Sequence, residues 1–484
     1  MRAPDAVVVG SGPNGMAAAV TMARAGLLVD VYEGAPTPGG GCRTEDLTLP
    51  GFRHDVCAAV HPLATASPFF RTSALDARGV ILRTPEVAFA HPLDGGRAAA
   101  VTTSVEDTAS SLGVDAAPYR TLMAPLVRDL DRILAAVLVP LRSVPAHPLA
   151  VARFGVTGLM SAQRIAGRFQ TEEAQALLAG AAAHSMLPLS APLTGSMGLL
   201  FTMLAHGVGW PVVEGGSAGI IAALVDELES LGGRVLTDRW VRDLGELPAV
   251  RTTLLDVSPR GLIDLAGSRL PVRNRRALER FRYGPGICKV DWALAGPVPW
   301  EAEACRRAGT VHVGGTLAEV ARSESDVAAG RHPERPYCLV AQPGVVDATR
   351  APSGCQTLWA YCHVPAGSPT DMTSRIESQI ERFAPGFRDL VLDRRTTTAV
   401  QTEDQNPNYV GGDINGGRAT LRQTIFRPTV RWNPYRTGLP GVFLCSASTP
   451  PGGGVHGMSG YGAARVALGD LGLSSRSGDG SRHG

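Results

Sequence analysis

No two of the eight cysteines form a C-x-x-C pair, and the nearest two, Cys355 and Cys362, are seven apart. That spacing argues against a structural zinc cluster and against a redox dithiol. Asp5 interrupts the N-terminal apolar run, which excludes an export signal there. Together with scattered cysteines, this points to a reducing, cytoplasmic setting. No apolar run approaches the roughly 18 residues that a spanning helix needs. The net charge of +2 argues against a nucleic-acid partner held by bulk charge. Aromatic residues are only 5% of the chain, which gives little material for an aromatic cage around a cationic group. Groups of metal-ligating side chains at ligand spacing are missing, so no metal site is expected.

What the chain has in quantity is glycine, 57 residues, with 36 prolines and 44% hydrophobic residues. Its 484 residues allow two or three domains at roughly 150 residues each, with a large buried core. The glycines concentrate in motifs. The apolar run 6–9 feeds directly into Gly10-Ser11-Gly12-Pro13-Asn14-Gly15. This is the G-x-G-x-x-G spacing of a strand turning tightly into a helix. Gly10 permits the turn, Gly12 lets backbone approach a pyrophosphate, and Gly15 lets the helix pack close on the sheet. The helix-start amides and the helix dipole then favour negative charge. An Ala-rich helix over 16–24 ends at Gly26, and a second strand over 28–32 ends at Glu33. A carboxylate there can accept hydrogen bonds from ribose hydroxyls and would repel a 2′-phosphate. Five residues later comes Gly39-Gly40-Gly41-Cys42-Arg43-Thr44.

The pattern Glu, five residues, Gly-Gly, three residues, Thr resembles the two-dinucleotide-binding-domain flavoproteins. The resemblance implies FAD, with the second glycine pair near its pyrophosphate, and no second nucleotide fingerprint occurs for a bound NAD(P). Residues 47–53 read as a strand pair around Pro50-Gly51. His61, followed by Pro62, falls in the loop that in such proteins returns under the flavin, where it could face substrate.

Residues 67–207 read as mostly helical. The run Leu122, Leu126, Leu130, Ile133, Leu134, Val137, Leu138, Leu141 follows the 3.6-residue period up to Pro140. A further helix is expected over 171–183. This stretch reads as a helical insertion covering a substrate cavity. One amphipathic face suits core packing or a peripheral membrane contact, and Asp129 and Asp131 among the arginines favour packing. Next, Glu214-Gly215-Gly216-Ser217-Ala218-Gly219 opens a helix over 220–231, and a strand at 234–237 leads to Val241. By resemblance, Val241 meets the adenine through its backbone. A strand covers 251–257. The basic run Arg273, Arg275, Arg276, Arg280, Arg282 reads first as a solvated helix face, with an anionic partner or lipid surface as the alternative.

Strands are expected over 289–294, 309–313, 337–341 and 357–363, with a helix over 373–383. Near the end, a strand at 441–449 runs into Pro450-Pro451-Gly452-Gly453-Gly454-Val455-His456-Gly457-Met458 and a helix over 460–468. Free amides at that helix start suit the N1–C2=O region of a reduced flavin. The segment 474–484 is small and polar and reads as a disordered tail.

GSGPNG, GGGCRT, HDVCAAVHPLA, AHPLDGG, EGGSAGI, RYGPGICKVDWAL, NYVGGDI and FLCSASTPPGGGVHGMSGYGAAR together resemble the phytoene desaturase and carotenoid isomerase group of FAD oxidoreductases. Within it they are closest to the phytoene-dehydrogenase-related oxidoreductases. The resemblance implies an α/β fold: a Rossmann-type FAD domain, like those of glutathione reductase and the amine oxidases, with a discontinuous α+β substrate domain. The FAD domain would take 1–75, 208–284 and 421–471. The substrate domain would take 76–207 and 285–420, and 472–484 would be tail. It implies Gly10, Gly12, Pro13, Asn14, Gly15, Glu33, Gly40, Gly41, Cys42, Arg43, Val241, Ser448, Gly454, Val455 and His456 around the FAD. Related proteins often carry a carboxylate after the last strand, where this chain has Ser446 and Ser448.

The expected activity is a dehydrogenase or desaturase acting on a lipophilic small molecule. The electron acceptor is left open among oxygen, quinone and a protein. His456, whose ordinary pKa suits proton transfer near neutrality, leads the catalytic candidates, with Tyr461 and His61 behind it. Isomerisation or saturation by reduced flavin, amine oxidation, and a non-catalytic FAD-holding role are the alternatives.

Overall fold

A computed structural model describes residues 3–473; the tail expected over 474–484 lies outside them. Two sheets organise these residues. The first is wholly parallel, in the order Val442–Leu444, Thr252–Leu255, Ala6–Val9, Val29–Tyr32, Arg234–Leu236. The N-terminal strand sits in the middle, and its Ala6, Val7 and Val8 are fully buried. Strands covered on both faces read as continuous apolar runs, which is why 6–9 shows no alternation. Helix Pro13–Arg24 packs on one face beside helix Met458–Asp470, so the two ends of the chain meet over this sheet.

The second sheet has seven strands: Val391–Thr397, Gly286–Leu294, Gln356–Val364, Cys338–Ala341, Ala308–Val313, Val87–Leu93, Arg97–Thr102. Its pairings are antiparallel except that between Ala308–Val313 and Val87–Leu93. The alternation of side chains gives its faces different jobs. Cys288, Val290, Trp292, Leu358, Ala360 and Cys362 point into an apolar core with Ile376 and Ile380 of helix Thr373–Phe383. The alternate residues Lys289, Asp291, Thr310, Trp359 and Tyr361 line cavities on the other face.

Three expectations need correction. The stretch after 67 is not only a helical insertion, since Val87–Leu93 and Arg97–Thr102 form a hairpin in the second sheet. Every residue of Val87–Leu93 is buried, so the period-2 signal is absent, and the turn is made by Gly95 and Gly96 at φ 78° and 70°. The long helical run breaks earlier than Pro140: Ala116–Arg128 and Leu130–Val137 are separate helices meeting at Asp129. The 47–53 strand pair forms instead as Thr44–Asp46 with Arg53–Asp55. The polar strand Val391–Thr397, an edge of the second sheet, had no apolar signal to announce it.

Candidate functional site

One continuous cavity of about 990 Å³ runs from the Gly10–Asn14 turn, past Gly40–Arg43 and Gly454–Val455, to the polar face of the second sheet. At its nucleotide end the glycines are sterically required. Gly10 has φ 96°, and a Cβ on Gly40 would stand 3.0 Å from Gly12 Cα. A Cβ on Gly15 would strike the Gly10 carbonyl, and one on Gly41 would strike the Tyr409 hydroxyl. Glu33 is held in place, its Oε2 accepting from Ser11 N at 3.0 Å and its Oε1 from Ala35 N at 2.8 Å.

Gly10, Gly12, Pro13, Asn14, Glu33, Gly40, Gly41, Cys42, Arg43, Val241, Ser448, Gly454 and Val455 all line the cavity. Gly15 stands just behind it, where its amide donates to Asp256 Oδ2 at 2.9 Å. Sequence reasoning missed Asp256, which follows the strand Thr252–Leu255 and lines the cavity beside Gly12. Burial pushes its carboxyl up to about 7, the Gly15 amide opposing and the nearby Glu33 adding to the rise. Trp240, beside Val241, was missed too. It is half exposed at the cavity rim, and Gly34 leaves room for its ring.

The three expected catalytic side chains separate. His456 is buried, and neither it nor Tyr461 lines the cavity. Both His456 ring nitrogens serve the backbone: Nδ1 accepts from Met458 N at 3.0 Å and Nε2 donates to Gly452 O at 3.1 Å. That imidazole closes the Gly-rich turn and caps the following helix, and burial lowers its pKa to about 4. Tyr461 packs against Phe69, ring centroids 6.1 Å apart. His61 does line the cavity. Its Nε2 bonds Ser217 Oγ at 2.8 Å, and burial brings its pKa down to about 4.

Behind His61 a buried network ties three segments together. Asp55 accepts from Thr44 Oγ1 at 2.9 Å, Ser217 N at 2.8 Å and Arg350 Nη1 at 2.8 Å. Arg350 Nε also donates to Asp347 Oδ2 at 2.6 Å, and that oxygen accepts from Gly215 N at 2.8 Å. The EGGSAG turn is therefore a clamp between the N-terminal loop and the second sheet.

At the other end the cavity wall holds Val60, Phe201, Trp210, Leu339, Trp359, Tyr361 and Ile414, with polar groups from His184, Thr310 and Asp291. Trp359 and Tyr361 stack with centroids 5.9 Å apart and planes 12° apart. Asp291 pairs with Lys289, the only lysine in the chain, whose ammonium also donates to Asp55 O at 3.1 Å and lies 5.3 Å from the Trp359 ring centroid. Although burial opposes ionisation, Lys289 holds the Asp291 carboxyl below its ordinary range. The signal for this pair was legible: polar residues at 289 and 291 alternate within an otherwise apolar strand. No cluster of His, Cys, Asp and Glu suited to a metal ion occurs among the described residues, and none of their helices is long and apolar enough to cross a membrane.

Comparison with known proteins agrees with this architecture. The profile described as "NAD(P)-binding Rossmann-like domain" matches residues 8–72. The rat protein "Pyridine nucleotide-disulfide oxidoreductase domain-containing protein 2" is 25% identical over 554 residues, spanning 96% of this chain and 94% of its own length. Hydroxyneurosporene desaturase of Cereibacter sphaeroides is 27% identical over 522 residues, spanning 98% and 99%. Among solved structures, cyclohexylamine oxidase from Brevibacterium oxydans shares the fold, with TM-score 0.60, 15% identity and coverage of 97% and 100%. These matches place a Rossmann-like nucleotide-binding domain at the N-terminal end and show that the overall fold is shared with a solved oxidase.

Proposed function

We propose that the protein is an FAD-dependent dehydrogenase that introduces a C=C bond into a lipophilic small molecule. The observation that carries this reading is the single cavity joining the glycine cradle to a mostly apolar, aromatic-lined chamber. The residues present fit FAD. The helix Pro13–Arg24 starts directly after Gly12 with its N-terminal end on the channel, Glu33 stands where ribose hydroxyls can donate, and glycines leave backbone open along the channel. Gly454 and Val455, before helix Met458–Asp470, bring a second helix start to the same channel. When bound, FAD supplies the hydride acceptor.

The chain does the rest. Phe201, Trp210, Leu339 and Ile414 exclude water and orient an apolar substrate. His61, fixed by Ser217, is the candidate to exchange a proton with substrate, while His456 holds the loop. The exposed apolar side chains of Val144, Leu149, Val156 and Leu159 make the 144–159 face a candidate for peripheral lipid contact, and co-sedimentation with phosphatidylcholine vesicles tests it.

The stacked Trp359 and Tyr361 favour a second reading, amine oxidation. Anaerobic mixing with lipophilic alkenes, alcohols and amines decides. Bleaching of the flavin band by alkenes or alcohols, with loss of two hydrogens by mass and a new C=C bond rather than a carbonyl in the product, supports the dehydrogenase, and bleaching by amines alone supports the second reading. Turnover only after prior reduction would instead mark an isomerase or saturase, and a flavin that cannot be reduced would mark a non-catalytic holder.

A further inference from the structure

Three imidazoles, half-buried His184 and fully buried His312 and His91, stand in a row beside the substrate chamber. His184, at the end of helix Glu172–Ala183, lines the cavity, and its Nε2 is 2.9 Å from His312 Nε2. His312 is fully buried on strand Ala308–Val313, and His91 is fully buried on the neighbouring strand Val87–Leu93. A Cβ on Gly180 would stand 2.5 Å from His91 Nδ1 and 3.0 Å from His312 Nδ1, so both nitrogens face one gap beside the helix. Neither has a hydrogen-bond partner among the described residues. Burial lowers all three rings' pKa values, His91 to about 4 and His184 to about 3, so each carries a single ring proton near neutrality.

The positions of those protons follow from one fixed point. His91 Nε2 is 2.7 Å from the Gly315 carbonyl, which can only accept, so Nε2 holds the His91 proton and Nδ1 is a bare lone pair. Across the gap, a lone pair favours a proton on His312 Nδ1 over a second lone pair. His312 Nε2 is then bare and accepts from His184 Nε2–H. That leaves His184 Nδ1 as an acceptor. Its ring borders the chamber.

We infer that His184 Nδ1 is a hydrogen-bond acceptor for a hydroxyl group on the substrate, set in that state by His312 and His91 as positioning residues. The substrate class is then an apolar molecule bearing an alcohol, which rests on the dehydrogenase reading above and narrows it. A hydroxyl fits better than an ammonium because the carboxylate lining this end, Asp291, is already taken by Lys289, so an added cation would be buried unpaired.

The test is calorimetric binding of 1-octanol, octyl methyl ether and octylamine to the FAD-loaded protein. The ether can only accept a hydrogen bond, so the alcohol-to-ether affinity ratio reports the donor contact. That ratio is expected to fall about fivefold in His184→Phe, the worth of one neutral hydrogen bond. It is expected to recover in His184→Asn, whose amide oxygen can replace Nδ1. In protein carrying ¹⁵N-histidine, the His184 Nδ1 resonance is expected in the unprotonated range and to move toward the protonated range in His91→Phe. An unchanged ratio in His184→Phe, a protonated Nδ1 in wild type, or tightest binding by octylamine would overturn the inference. The dehydrogenase reading is tested separately, by which substrates bleach the flavin: it fails if only amines do, if none does, or if turnover needs prior reduction, whatever the octanol-to-ether ratio.

Discussion

The two ends of the cavity are built on different principles. At the nucleotide end, function rests on backbone: glycines at 10, 12, 15, 40 and 41 whose Cβ atoms have nowhere to go, and helix starts that present amides. At the chamber end it rests on side chains drawn from five distant segments, among them His61, His184, Trp210, Asp291 and Trp359. Backbone sites tolerate almost no change at a few positions, because close approach is a steric condition. Side-chain sites distribute their chemistry, so single substitutions there should change specificity before they abolish binding.

The largest expected effect tests that contrast at its sharpest. Gly15→Val should abolish FAD binding, weakening it by at least about 100-fold, since the branched side chain would strike the Gly10 carbonyl. Flavin content of the purified variant measures it, and near-normal content would show that the cradle is not steric.

Arg350→Met comes next. It leaves Asp55 and Asp347 buried without their shared cation and should lower stability by about 3–5 kcal/mol, read from urea unfolding. This clamp joins the two ends, so loss of both FAD and substrate binding is expected.

Asp256 gives a pH signature belonging to the nucleotide end alone. Its folded value near 7 lies above the ordinary 3.8, so the fold binds a proton there that the unfolded chain has released. Stability from this group is fully present below 3.8 and is lost as pH rises to about 7. A pyrophosphate beside it repels the ionised form, so FAD affinity should fall about tenfold between about pH 6 and about pH 8.5. Asp256→Asn should flatten that profile, as titration of FAD into the apoprotein would show.

The smallest effect is at His456. His456→Ala removes two backbone hydrogen bonds and should cost about 1–2 kcal/mol of stability, with turnover per bound FAD nearly unchanged. A collapse of turnover with FAD retained would return His456 to the chemistry.

The same division explains what could be read from the chain. Gly10, Gly12, Gly15 and Glu33 were legible because spacing encodes a turn, and a turn is local. Helix Thr373–Phe383 was legible from its period. Asp256 was not, since its role depends on a strand pairing with residues about 240 positions away. The hairpin at Val87–Leu93 was hidden because a strand buried on both faces loses its alternation. His184 was invisible for a related reason: it ends an Ala-rich helix, and only the fold sets His312 and His91 behind it. His456 is the reverse case: a histidine in a glycine-rich turn suggests chemistry, whereas in the fold both its ring nitrogens bond backbone.

In the proposed function, one FAD is gripped jointly by the two ends of the chain. Competitive titration of the apoprotein with FAD and with NAD tests it most directly, following quenching of flavin fluorescence and the bound stoichiometry. Saturation is expected at one FAD per chain, undisturbed by excess NAD and lost in Gly15→Val. Protein that stays colourless in excess FAD, or that releases FAD to NAD, would contradict it.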